Sequence, residues 1–429
     1  MISKESASEC FVYITLPRET NNVIAGRLVI TKDRRGTIIG RFVYGKNYLL
    51  RSDAVEIDPV ELKLADTTYD TTRLGGIFGA LRDSAPDYWG RYVIEKHSGK
   101  AQLSELDYLL ESPDDRAGAL GFGRNQKPPA PKRKFNQTIE LERLQRIAQR
   151  LIREQIDEPD HETDHETVQA QELLLLGTSM GGGRPKAVVE DNAGLWVAKF
   201  GRPDDRWNNP RVENAMLELA RRCGINAARS RIETVGGKDV LLVQRFDRER
   251  ISKGYVRARM ISGLTLLRAD DWVQTRDRWS YVLMAEELRR VVSEPKKDAA
   301  ELFSRMCFNA LISNSDDHPR NHALIAMDQD WKLSPAYDLT PSLAVSQDRR
   351  DLAMECGDLG RFASAENLLT QCSRFLLGED EAEAIISTMT EQVRTTWYSV
   401  ARSQGVSERD AAIIKSAFVY PGFERRLQQ

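Results

Sequence analysis

The strongest constraint on this chain is a short polar run, Asn314-Ser-Asp-Asp-His-Pro-Arg-Asn321, followed seventeen residues later by Asp338 within Ala336-Tyr-Asp-Leu339. An apolar helix, for which Asp298 is the expected cap, runs to Ile312 and leads into it. Behind it the pattern reads as strand Ala323–Met327, a turn at Asp328–Asp330 and strand Trp331–Leu333. The run therefore sits on a loop between a helix and a hairpin, with Asp338 just past the hairpin. Asp316 and Asn321 are five residues apart.

An aspartate, an asparagine five residues on and a second aspartate after a hairpin are what phosphoryl transfer needs: a general base and two metal-holding groups. Asp316 is the expected base for a substrate hydroxyl; Asn321 and Asp338 are the expected metal ligands. Carboxylate and amide oxygens are hard donors, which suits Mg2+ better than Zn2+. His318 is expected to orient the loop or touch a phosphate. Each feature alone is also explained by a capped turn, and it is their joint spacing that favours chemistry.

Upstream lies Gly177-Thr-Ser-Met-Gly-Gly-Gly-Arg-Pro-Lys186. Three successive glycines, Gly181, Gly182 and Gly183, let backbone N–H groups approach an anion, and Lys186 adds charge. No Gly-Lys-Ser/Thr follows, so the loop is not a Walker A, and a flexible turn is the alternative. Strands Ala187–Glu190 and Trp196–Phe200 follow, then a helix over Arg211–Cys223 that stops at Gly224. Lys199 ends the second strand. It is either a solvated side chain or a phosphate contact paired with Glu213 or Glu218 of that helix. A hairpin, Arg229–Val235 and Lys238–Phe246 across Gly236-Gly237, ends in Gln244-Arg245-Phe246-Asp247. That strand end either borders an adenine or is an ordinary exposed terminus with an Arg–Asp pair.

Three β-branched runs open the chain, Phe11–Leu16, Val23–Thr31 and Thr37–Tyr44, predicting a small sheet. Helices are expected at Tyr88–His97, Thr138–Ile156 and Val168–Leu176. Arg124–Gln137 has three prolines, five basic residues and no acid, and reads as a linker. His161-Glu-Thr-Asp-His165 matches a zinc-protease pattern but lies in an acidic stretch after Pro159 with no apolar face, so a solvated segment is the better reading.

The chain of 429 residues, 41% apolar and 29% charged, is expected to be globular with two or three domains. A net charge of −2 gives no global drive toward nucleic acid or anionic membrane. No apolar run approaches the roughly 18–20 residues that span a bilayer, no signal-like leader is seen, and five scattered cysteines lack a CxxC pair, so a cytoplasmic protein with no membrane association is expected.

Six blocks in order carry a family resemblance: Ser179–Lys186, Trp196–Phe200, Val212-Glu-Asn-Ala through Gly224-Ile, Val243–Asp247, Asn314–Asn321 and Ser334–Leu339. The chain resembles the HipA-like serine/threonine kinases, toxins of bacterial toxin–antitoxin systems. The resemblance implies an α+β, two-lobed protein-kinase-like fold, with a β-sheet in the N-terminal part and a mainly helical C-terminal lobe. The implied domains are 1–123, a β-rich N-terminal subdomain; 124–168, a linker and connecting helix; 169–268, the nucleotide-binding lobe; and 269–429, the helical catalytic lobe. ATP and Mg2+ are the implied cofactors.

By position, the resemblance implies Asp316 as catalytic residue and Asn321 and Asp338 as metal ligands. Gly181, Gly182, Gly183, Arg184, Lys186, Lys199, Gln244, Phe246, His318, Arg320 and Tyr337 would bind ATP. Ser179 is the implied autophosphorylation site, with Thr178 as the alternative. Implied partners are a HipB-like antitoxin with a DNA-binding domain, through which DNA contact would be indirect, and a protein substrate, an aminoacyl-tRNA synthetase being one candidate. Arg257–Tyr281 departs from the commonest family pattern, so substrate identity does not carry over. Two other functions fit the motifs: a catalytically weak nucleotide-binding regulator acting with its antitoxin, and a small-molecule kinase.

Overall fold

The computed structural model describes residues 8–99, 103–130, 135–156, 184–343 and 346–424. The Gly-rich loop through Gly183, including Thr178 and Ser179, the expected helix at Val168–Leu176 and the His161–His165 segment lie outside the described residues. The chain forms two compact units. The first comprises Met1–Arg202, Arg245–Ile261 and Ile325–Asp330; the second comprises Pro203–Gln244, Ser262–Leu324 and Trp331–Gln429.

The first unit opens with an antiparallel sheet built from β1 (Ser8–Thr15), β2 (Asn22–Lys32), β3 (Ile38–Tyr44), β4 (Thr68–Thr71) and β5 (Leu120–Gly123), in the order β4-β3-β2-β1-β5. Val12, Ile14, Leu28 and Phe42 are fully buried, and Tyr13 and Thr15 are buried as well, so β1 is covered on both faces from Val12 on. The β1–β2 register shifts between Val12 and Tyr13, beside Gly26. A Cβ at Gly26 would lie 2.2 Å from the Val43 carbonyl oxygen, so only glycine fits the bulge. Helices α1 (Tyr88–Ser98), α2 (Glu105–Glu111) and α3 (Leu141–Ile156) follow. Asp87 caps α1 by accepting the Gly90 N–H at 2.7 Å, and Ser104 and Asp107 form a capping box on α2. The unit also holds β6 (Asn136–Gln137), β7 (Lys186–Asp191) and β8 (Gly194–Phe200), with β6 parallel and β8 antiparallel to β7.

In the second unit, α4 (Asn209–Arg222) starts at Asn208, whose side chain caps it, with Pro210 in the first turn. Hairpin β9 (Ser230–Val235) and β10 (Lys238–Gln244) turns through Gly236 and Gly237, both at positive φ. Arg211 of α4 makes a two-pronged ion pair with Asp239 of β10 at 2.6 and 2.8 Å. Then come α5 (Gly263–Leu267), α6 (Tyr281–Leu288), α7 (Pro295–Leu311), α8 (Ala365–Thr370), α9 (Glu379–Ser403) and α10 (Glu408–Ile414). Every residue of α7 from Arg305 to Leu311 is buried, so this helix runs through the core rather than along its surface.

The start of α7 corrects one expectation. Pro295 opens the helix three residues before Asp298, because its fixed φ and missing N–H suit a first helical position. Asp298 is not the cap. It lies in the first turn, buried, and desolvation raises its carboxyl above the ordinary range despite a backbone hydrogen bond from Leu333.

Candidate active site

The acidic loop is launched from the end of α7. Ser313 turns the chain in the left-handed conformation, φ +52°, and the Asn314 N–H returns to the Asn309 carbonyl at 2.8 Å. From there exposure alternates: Asp316 faces solvent and Asp317 points inward. The inward half is a buried network. One oxygen of Asp317 accepts from Asn309 Nδ2 at 2.8 Å, His322 Nε2 at 2.9 Å and the Tyr281 hydroxyl. Asn314 Nδ2 donates to Asn309 Oδ1 at 3.0 Å. Asp317, His322, Tyr281, Asn309 and Asn314 are all at most 3% exposed, so the loop rests on a buried polar platform rather than on solvent, with Asn314 Oδ1 and His322 Nδ1 lacking a hydrogen bond among the described residues.

The outward half holds Asp316, Asn321 and, returning to it, Asp338. Asn321 Nδ2 donates to the Asp316 backbone carbonyl at 3.1 Å, which directs its amide oxygen away from that bond. Asp338 returns to the same region. The Ser342 N–H donates to the Ser313 carbonyl at 3.1 Å, and the Ser315 and Ser342 hydroxyls meet at 2.7 Å, so the chain just past Asp338 is stitched to the chain just before Asp316. Ala336 exchanges backbone bonds with Asn226 and Ala228 at 2.7 and 2.8 Å, and buried Arg305 holds the Ser334 carbonyl at 2.6 Å. Asp338 itself sits at φ +60°, a conformation aspartate tolerates better than most residues. The Asp316 carboxyl is raised above its ordinary value by desolvation, which outweighs the opposing pull of His318, with a smaller repulsion from Asp338 added.

Two carboxylates close enough to repel, beside a held amide oxygen, are a fitting donor set for a hard cation. Among the described residues no cluster of three or more His, Cys, Asp or Glu could hold a metal alone. Two or three protein oxygens completed by phosphate and water is the way Mg2+ is usually held. Tyr337 donates to the Arg320 carbonyl at 2.8 Å, and Arg320 pairs with Asp271. The His318 ring packs edge-on to Trp279, with Nδ1 buried and without a hydrogen bond.

The first unit contributes a different feature. Lys186 and Lys199 are directly opposed on β7 and β8. The Phe200 N–H bonds to the Pro185 carbonyl, so the lysines form the close, non-hydrogen-bonded kind of pair with side chains on one face. Lys186 is 1% exposed and ion-paired with Asp87, the α1 cap; sequence reasoning had no signal for that distant partner. Arg184 and Lys199 are half-exposed. Phe246 is half-buried between buried Arg245 and Asp247, and Gln244, ending β10 in the second unit, is half-buried as well. The Arg245–Asp247 pair is not the exposed strand end considered above. Both are buried, Arg248 joins them at 2.7 Å, and Arg245 also binds the Asp115 and Arg116 carbonyls. The two arginines drive the Asp247 carboxyl far below the usual range. Glu218 is occupied by Arg221 and Arg222 at 3.1 and 2.9 Å, whereas Glu213 is buried.

The Asp317 network went unread in the sequence. Its one available signal was Asn309, a polar residue within the otherwise apolar Phe308-Asn-Ala-Leu311 of a core helix.

Residues 178–397, just over half of the chain, match the model of the HipA-like C-terminal domain. The chain belongs to the HipA-like family. Its fold is that of HipA in the Shewanella oneidensis MR-1 toxin–antitoxin complex of HipA, HipB and operator DNA: the TM-score is 0.66 at 17% identity, over 94% of this chain and 95% of that one. The α+β, protein-kinase-like fold expected for a HipA-like chain is therefore present. A Sinorhizobium fredii protein named "Putative kinase Y4mE" is 27% identical over 156 residues, which are 34% of this chain. The match spans about a third of that relative's length (35%). Among the described residues of this HipA-like chain, no helix is long and apolar enough to cross a membrane.

Proposed function

We propose that this HipA-like protein is an ATP- and Mg2+-dependent serine/threonine protein kinase that arrests growth by phosphorylating a cellular protein. The observation that carries the reading is the stitching of Asp338 to the chain beside Asp316, with Asn321 bonded to Asp316 between them. A solvent-facing carboxylate with a raised proton affinity suits a base that takes a proton from an incoming hydroxyl. Asn321 and Asp338 would hold Mg2+, which would neutralise charge developing on the β- and γ-phosphates. Lys199 is assigned to the phosphates and Gln244 and Phe246 to the adenine, whereas Lys186, buried against Asp87, is left to a structural role. Ser179 is assigned as the autophosphorylation site. A HipB-like antitoxin is the assigned partner, consistent with the HipA–HipB complex of the Shewanella structure. An aminoacyl-tRNA synthetase is one candidate substrate.

The test is ³²P transfer from ATP to protein acceptors by the full chain. Wild type labels; Asp316→Asn and Asp338→Ala do not. Labelling by Asp316→Asn equal to wild type would remove Asp316 from the role of base. Transfer only to small hydroxyl compounds would replace the protein acceptor with a metabolite.

A further inference from the structure

The turn that launches the acidic loop is gripped by a part of the chain the family match does not reach. Ser313 stands at φ +52°, a left-handed conformation that costs a non-glycine residue free energy. Its hydroxyl donates to the Ala417 carbonyl at 2.6 Å and accepts from Arg350 Nη1 at 2.7 Å. The same Nη1 donates to the Ser416 carbonyl at 2.8 Å, and Arg350 Nε donates to the Ser346 carbonyl at 2.8 Å. The guanidinium lies 4.5 Å from the centre of the Tyr420 ring. Tyr420 in turn donates to the Ala363 carbonyl at 2.7 Å and accepts the Arg350 N–H at 3.3 Å. One residue earlier, the Val419 N–H bonds to the Leu311 carbonyl at 2.8 Å, with Val419 at φ +44°, where β-branched residues are genuine outliers.

Residues 416–420 thus hold Leu311 and Ser313, the last helical residue and the turn residue, which stand five and three positions before Asp316. All of this lies within the second unit. Ser313, Arg350 and Tyr420 are 5%, 6% and 1% exposed. Residues 416–420 lie past residue 397, where the family match ends. Strain at Ser313 and at Val419 persists only where surroundings over-determine the backbone, and here each strained residue is bonded to the segment that holds the other. A buried guanidinium directed at carbonyl and hydroxyl oxygens is a costly way to fill space and an effective way to fix geometry.

We propose that Arg350 and the segment 416–420 are positioning elements of the phosphoryl-transfer site: they hold Ser313 left-handed and so set where Asp316 points. The proposal rests on the reading of Asp316 as base.

The test uses the full chain with two readouts, amide hydrogen exchange over 313–321 and steady-state ATP turnover with ³²P incorporation. In Arg350→Ala, exchange over 313–321 rises about tenfold or more while β1–β3 stay unchanged, and kcat falls about 10- to 100-fold with KM for ATP nearly constant. Arg350→Lys restores part of both. Arg394→Ala, which removes an exposed ion pair to Glu424 in the same terminal region, changes neither. Unchanged exchange over 313–321, a rise spread evenly over the second unit, or an intact kcat would each overturn the proposal and leave Arg350 as packing. If wild type transfers no phosphate, the reading of Asp316 falls, and the exchange result still decides by itself whether the brace exists.

Discussion

Lys186 and Lys199 face each other across β7 and β8, and Asp87 supplies the carboxylate that lets Lys186 stay buried. Like charges directly opposed in a sheet are unfavourable unless something offsets them. Asp87→Ala is expected to cost about 3–5 kcal/mol, because it strands a buried ammonium. Asp87→Asn should cost about 1 kcal/mol less, since asparagine still caps α1. Pairing Asp87→Asn with Lys186→Met should recover most of the loss. Urea denaturation of the four proteins checks the series; equal stability of Asp87→Ala and wild type would show the pair to be inert.

The raised Asp316 carboxyl costs stability when ionised. A carboxyl raised in the folded state is penalised when ionised, so its relative stabilising contribution is complete below the unfolded value and lost as pH rises through the folded one. Asp316→Asn should therefore melt slightly above wild type at neutral pH, and the difference should vanish in acid. The same change should lower kcat by about 10²- to 10⁴-fold. Melting curves across pH, beside transfer rates, test both halves.

Because Asp338 contributes to raising Asp316, Asp338→Asn should lower the Asp316 titration toward the ordinary aspartate range. Carboxyl-carbon NMR reads this without any need for turnover. Asparagine also tolerates the left-handed φ of residue 338, whereas Asp338→Ala should lose about 1 kcal/mol or more in addition.

The Asp317 platform should be graded by how many donors are left without an acceptor. Tyr281→Phe removes one of three bonds and should cost about 1 kcal/mol. Asp317→Ala strands all three donors and should cost about 3 kcal/mol or more. Thermal melts and kcat, compared at fixed ATP, give the ranking; a costlier Tyr281→Phe would contradict it.

Much of the local structure was legible in the sequence. The three opening runs became β1, β2 and β3 within three residues at each end, and the Gly236-Gly237 turn became the β9–β10 hairpin. These elements are specified by nearest-neighbour chemistry: alternation, β-branching and the φ freedom of glycine. The acidic loop was legible as a spacing because Asp316, Asn321 and Asp338 are separated only by a short hairpin. What escaped was long-range or conformational. Nothing near Lys186 announces Asp87, ninety-nine positions away. Serine and valine carry no mark that Ser313 and Val419 will turn left-handed. Asp298 misled because an aspartate ahead of an apolar stretch is a good cap, and Pro295 had already begun the helix.

The partnership of Lys186 with Asp87 bears on how this protein is cut for study. A fragment trimmed to the recognised domain would keep the lysine and discard its counter-ion, exposing to water a face of β7 that the intact chain keeps dry. Poor solubility of such a fragment would report on the missing N-terminal helix cap, not on the domain it was meant to isolate.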